Sequence, residues 1–140
     1  MCSSDLAGLS GGGLRTVYLG GLDDRIRCAV AVGFMSTWRD FLLDKCFTHT
    51  WMTYLPLLPR QLEFPEILGL RAPLPTLVQN CNEDALYTLE EMHRADRILT
   101  EVFQRAGAPA HYRGEFYPGG HKFDRAMQSA AFDWLGRHLA

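Results

Sequence analysis

Four of the six residues from Gly8 to Gly13 are glycine, and the window reads Gly-Leu-Ser-Gly-Gly-Gly. The interior of a helix or strand does not accept such a run cheaply, because each glycine there costs about 0.5–1 kcal/mol relative to alanine. A sharp turn from a strand into a helix does accept it, since small neighbours let the backbone fold closely on itself. Gly8, Ser10 and Gly12 fit the pattern G-x-S-x-G, in which such a turn exposes a serine hydroxyl at the end of a strand. The pattern predicts a strand over residues 2–9, a turn at Ser10 and a helix from Gly11 to Gly21. Ser3, Ser4 and Asp5 make that strand unusually polar for one covered on both faces.

Beyond the turn, strand and helix signals alternate. Ile26 to Phe34 is an almost continuous apolar run of strand length, the mark of a strand buried on both faces. Residues 35–70 are rich in aromatic side chains and broken by Pro56, Pro59 and Pro65, which predicts short helices and turns in a cap-like insertion. Leu74 to Asn80 reads as a strand with Pro75 at its beginning. Thr88 and Glu91 have capping-box spacing, and Leu89, Met92, Ala95, Leu99, Val102 and Ala106 share one face of the following helix, stopped by Gly107. Ala110 to Phe116 gives a further strand, closed by Pro118-Gly119-Gly120. From about Lys122 a last helix carries Phe123, Met127, Ala130, Ala131, Trp134 and Leu135. The alternation predicts an α/β fold, a parallel sheet of about four strands with flanking helices, in a single domain over residues 1–140.

Composition narrows the partners. A chain of 140 residues with 47% hydrophobic and 21% charged residues is long enough for one core, and a formal net charge of -2 offers neither nucleic acid nor an anionic membrane a reason to bind. Cys2, Cys28, Cys46 and Cys81 form no C-x-x-C pair, so reduced thiols and a cytoplasmic setting are expected. No run approaches a transmembrane span, and the first residues lack the basic and apolar regions of a signal peptide. Leu14-Arg15 follows the glycines where a phosphate loop needs Lys and Ser or Thr, and Thr16 stands where a dinucleotide loop needs its third glycine. His49, His93, His111 and His138 lack metal-ligand spacing and read as structural or exposed; no cofactor or metal is expected. Trp38, Phe41, Phe47, Trp51 and Tyr54 read as core or cap packing, with the lining of an acyl pocket as the alternative.

Three residues fall where strands of such a sheet end. Ser10 follows the first strand, Asp84 the Leu74 to Asn80 strand, and His121 the Ala110 to Phe116 strand. Their chain order, Ser then Asp then His, is the order of a serine triad on an α/β sheet. A serine hydroxyl is a poor nucleophile until a histidine takes its proton, and the histidine needs a carboxylate to hold its tautomer and stabilise the imidazolium. Glu83 is the rival to Asp84 for the acid position.

With these residues in view, the chain resembles the C-terminal portion of an α/β-hydrolase of the acetyl xylan esterase and dienelactone-hydrolase-like branch, related to the catalytic domain of prolyl oligopeptidases. Gly8 to Gly13, Phe64 to Pro73, Asn82 to Tyr87 and Tyr117 to His121 carry the resemblance. It implies Ser10 as nucleophile, Asp84 as acid, His121 as base and the Gly11 backbone N–H in the oxyanion hole. The implied activity is hydrolysis of small-molecule carboxylic esters, acetyl or other small acyl, through an acyl-enzyme. A departure is Cys81-Asn82, where the family places a glycine. The family's strands ahead of the elbow are missing from this chain, so the first strand is expected to be an exposed edge through which copies could associate. A non-catalytic half-hydrolase or association module is the alternative reading. A serine peptidase stands behind both, since nothing here supplies a peptide-selecting domain.

Overall fold

A computed structural model describes residues 4–138. Its four strands are β1 (Ser4–Leu9), β2 (Ile26–Val32), β3 (Thr76–Cys81) and β4 (Tyr112–Tyr117). They form one parallel sheet in the order β1-β2-β3-β4. Helices α1 (Gly11–Leu22), α2 (Cys46–Thr53), α3 (Phe64–Gly69), α4 (Leu89–Arg105) and α5 (Arg125–His138) connect and flank the strands. The α/β architecture read from the sequence is the one observed. Residues 2 and 3 of the predicted first strand lie outside the described residues.

The sheet separates two apolar layers. On one side Cys28, Val30 and Val32 of β2 and Leu77 and Cys81 of β3 pack on Met127, Ala131, Trp134 and Leu135 of α5. On the other, Ala31 and Val78 meet Leu14 and Val17 of α1, Ile67 and Leu68 of α3 and Met92, Ala95 and Leu99 of α4. Burial on both faces explains why β2 reads as an unbroken apolar run. The polarity of β1 has the converse cause: it is a sheet edge among the described residues, and Ser4 and Asp5 are exposed.

Several boundaries move for identifiable reasons. β2 ends at Val32, two residues short of Phe34, because Gly33 takes a φ of 58° and turns the chain. β3 starts after Pro75, and β4 starts after a one-turn helix at Pro109–His111. α5 begins at Arg125 because the Asp124 carboxylate accepts the Met127 N–H at 3.1 Å and caps the helix. α4 begins after Thr88, whose hydroxyl accepts the Glu91 N–H, but the capping box is only half made. The Glu91 carboxylate turns to Thr37 and Arg94, while the Thr88 N–H goes to Asp40 at 2.9 Å. Phe103 shares the buried face with Met92, Ala95 and Leu99, whereas Leu89 and Ala106 are exposed.

Between β2 and β3 the chain forms a π-helical turn at Asp40–Asp44, α2, a one-turn helix at Leu58–Arg60, and α3, opened by a complete Glu63–Glu66 capping box. Arg71 staples the far end of the sheet: its buried guanidinium donates to the carbonyls of Gly20, Ile26, Leu74 and Pro75 and to Thr76 Oγ1. Burial lowers its pKa to about 10, so it stays charged at neutral pH.

Candidate active site

Ser10 occupies a backbone conformation that side chains rarely adopt, φ 57° and ψ −120°, between the end of β1 and the start of α1. Two backbone bonds hold it there. Its N–H donates to Val32 C=O at 2.9 Å, and its own C=O accepts the Leu14 N–H at 2.9 Å. The turn is so tight that a β-carbon on Gly8 would collide with the Gly12 backbone. Gly11 lies in the first turn of α1, where an amide has no acceptor four residues back within the helix. The positive end of the helix and this amide therefore face the space beside Ser10.

The other two sequence candidates are joined directly. His121 Nδ1 and Asp84 Oδ2 are 2.6 Å apart, with the Asp84 side chain 1% exposed and that of His121 26% exposed. Asp84 Oδ1 accepts the Leu86 N–H at 3.0 Å, so both carboxylate oxygens are engaged. The loops that carry the pair are pinned together: Asn82 N–H donates to Tyr117 C=O at 2.8 Å and Glu83 N–H to Gly119 C=O at 3.1 Å. Glu83 points elsewhere, accepting the Gly119 N–H at 3.3 Å, and it is Asp84 that meets the imidazole.

Gly33 connects Ser10 to the pair. It follows Val32, the acceptor of the Ser10 N–H, and a β-carbon on it would lie 2.9 Å from His121 Cε1 and 3.3 Å from Leu9 Cδ1. Its N–H donates to Gln79 C=O at 2.8 Å, and its C=O accepts the Tyr87 hydroxyl at 3.1 Å. The structure thus gathers Ser10, Asp84 and His121 at the carboxyl ends of β1, β3 and β4. No hydrogen bond joins the Ser10 hydroxyl to the imidazole among the described residues.

Two neighbours escaped the sequence reading. His49 stacks on Tyr87, with ring centres 5.8 Å apart, and meets Phe34 edge-on at 4.9 Å. Its pKa is lowered, by burial first and then by the charge of His121, with Asp84 pulling the other way. His49 is half-buried and packed, and its neighbours Phe34 and Tyr87 are distant in the chain. Gly33 was hidden inside the apolar run, where a glycine at the end of a buried strand is the available signal. The aromatic group divides: Trp38 and Phe41 are core residues, whereas Phe47, Trp51 and Tyr54 are exposed.

Among the described residues no group of three His, Cys, Asp or Glu side chains is placed to hold a metal ion, and Cys28, Cys46 and Cys81 are free thiols. No helix among them is long and apolar enough to cross a membrane. A cavity of about 280 Å³ lined by Gly20–Asp24 and Leu70–Leu74 lies at the amino ends of β2 and β3, away from Ser10.

No family model matches the chain. Over 135 residues it is 32% identical to "Putative hydrolase YtaP" of Bacillus subtilis (strain 168), covering 94% of this chain and 44% of that protein. A carbohydrate esterase family 15 glucuronoyl esterase from Caldicellulosiruptor kristjansonii superimposes with a TM-score of 0.76 at 16% identity, covering 95% of this chain and 42% of its own. A glucuronoyl esterase from Solibacter usitatus gives 0.75 at 14% identity, over 97% and 42% of the two chains. Methylesterase BT1017 gives 0.68 at 20% identity, over 94% and 29%. The chain has the α/β fold of one part of these esterase structures, and it spans less than half the length of each of these relatives.

Proposed function

We propose that this chain carries the catalytic residues of a serine hydrolase acting on carboxylic esters, acetyl or other small acyl groups among them. The observation that carries the reading is the 2.6 Å Asp84–His121 contact at the same strand ends as the strained Ser10 turn. His121 takes the Ser10 proton as Oγ attacks the ester carbonyl, and the negative oxygen that forms is met by the Gly11 N–H. The imidazolium, steadied by Asp84, gives the proton to the departing alcohol and leaves an acyl-serine. Water then adds, losing a proton to His121, and the acid departs as Ser10 regains its proton. The names of the structural neighbours, all esterases, support ester over amide substrates.

Turnover of p-nitrophenyl acetate tests this. Ser10→Ala and His121→Ala are each expected to lower kcat by about 1000-fold or more. Turnover that survives both substitutions contradicts the reading.

A second reading concerns association. Among the described residues β1 is an edge strand, and Leu19 and Leu22 on the adjacent α1 are 51% and 70% exposed. We propose that copies pair through this edge. Sedimentation across a concentration series is expected to show a dimer; a mass of 15.8 kDa at all concentrations contradicts it.

A further inference from the structure

Helix α2 has two distinct faces. Phe47 and Trp51 point outward, 79% and 81% exposed. Met52 points in: its Cε lies 3.8 Å from where a β-carbon on Gly11, the first residue of α1, would stand. One turn earlier on the same face, His49 lies against Phe34 and Tyr87. Tyr87 belongs to the loop after Asp84, and its hydroxyl holds the Gly33 carbonyl beside His121. The inner face of α2 therefore runs from the Gly11 end of the candidate site to the Asp84–His121 end.

His49 is not a satisfied core histidine. Its Nδ1 is buried with no hydrogen-bond partner among the described residues, although the side chain as a whole is half-buried. A buried nitrogen without a partner is less costly as a lone pair than as an N–H, so the proton of the neutral ring belongs on Nε2. The ring then offers one donor, at its far tip. In the ester hydrolysis proposed above, the acyl oxygen sits at the Gly11 amide and the alcohol oxygen at His121, which protonates it as it leaves. In that arrangement the alcohol half of the ester lies at the His121 end of the site, the end that His49 neighbours through Tyr87.

We infer that His49 is a specificity residue for that half: its Nε2–H donates to a second oxygen on the alcohol, hydroxyl or ether, so that esters of oxygen-bearing alcohols are preferred to esters of plain alkyl alcohols. The inference rests on the ester-hydrolase reading. A neutral His49 suits the place, because a cation there would oppose the imidazolium that His121 must become.

Two esters matched in length separate the outcomes: 2-methoxyethyl acetate and butyl acetate, which differ by an ether oxygen in place of a methylene. In wild-type protein the ratio of kcat/KM values should favour the ether ester by about fivefold to tenfold, the worth of one hydrogen bond. His49→Leu should bring the ratio close to one, and His49→Gln, which keeps a donor, should restore most of it. The second arm needs no turnover. In Ser10→Ala protein with ¹⁵N-labelled histidine, the His49 Nε2 resonance should move when 2-methoxyethyl acetate is added and stay in place with butyl acetate. An unchanged ratio in His49→Leu, or a resonance that responds to neither ester or equally to both, overturns the role of His49. Absence of turnover on both esters by wild type counts against the hydrolase reading, and the resonance arm still decides His49.

Discussion

The two sides of the candidate site are held by different physics. On the sheet side, Ser10 and Gly33 are positioned by backbone in close approach: the Gly8–Gly12 crossing, the Ser10 bond to Val32, and a space beside the imidazole that leaves no room for a β-carbon on Gly33. On the helical side, between β2 and β3, the segment is tied down by side chains. Asp40 is fully buried and accepts from Ser36, from Thr88 N–H at 2.9 Å and from Thr88 Oγ1 at 2.9 Å. Thr37 donates to Glu91 nearby. The same segment exposes Phe47, Trp51 and Leu57. A steric frame has no slack, so an added methyl breaks it. A hydrogen-bonded segment can be loosened while the frame stands.

Substitutions that strike one side at a time separate the two kinds of support. The largest effect is expected at Gly8→Ala, whose β-carbon has nowhere to go but into the Gly12 backbone. Urea unfolding should show a loss of about 4 kcal/mol or more, or no folded protein. Asp40→Ala leaves three donors without their acceptor, one buried on Ser36 and two half-buried on Thr88, and should cost about 2–4 kcal/mol. Hydrogen exchange should then quicken in residues 46–53 while β2 and β3 stay protected. Gly33→Ala combines a positive φ with a contact on His121. It should cost about 1 kcal/mol in unfolding yet about 100-fold in kcat, because the base is displaced.

The smallest effect is on pH dependence. The pKa of His49 is lowered in the folded chain, so below its unfolded value of 6.5 the unfolded chain binds the extra proton. Stability is therefore lost as pH falls from 6.5 through the folded pKa. His138, also lowered by burial, acts in the same direction. Urea midpoints between pH 7 and 5 should fall, and fall less steeply in His49→Gln; an equal slope in both proteins contradicts the assignment to His49.

What could be read from sequence follows from how local each cause is. The Ser10 turn was legible because its glycines are neighbours in the chain and their spacing is the geometry. β2 was legible because burial on both faces leaves a continuous apolar run. The choice between Asp84 and Glu83 was not, since it is made by backbone bonds from Asn82 and Glu83 to the loop after β4. Likewise the half-made capping box at Thr88 reflects Asp40, 48 residues earlier, taking the Thr88 N–H. His49 acquires its surroundings from Phe34 and Tyr87, so its spacing to other histidines carried no information.

If Ser10 is a nucleophile activated by the Asp84–His121 pair, as proposed, it can be captured covalently. A fluorophosphonate probe should form a single adduct, located by fragmentation of the tryptic peptide of residues 1–15 at Ser10 and strongly diminished in His121→Ala. An adduct on another residue, or labelling of Ser10 that is indifferent to His121, would contradict the account.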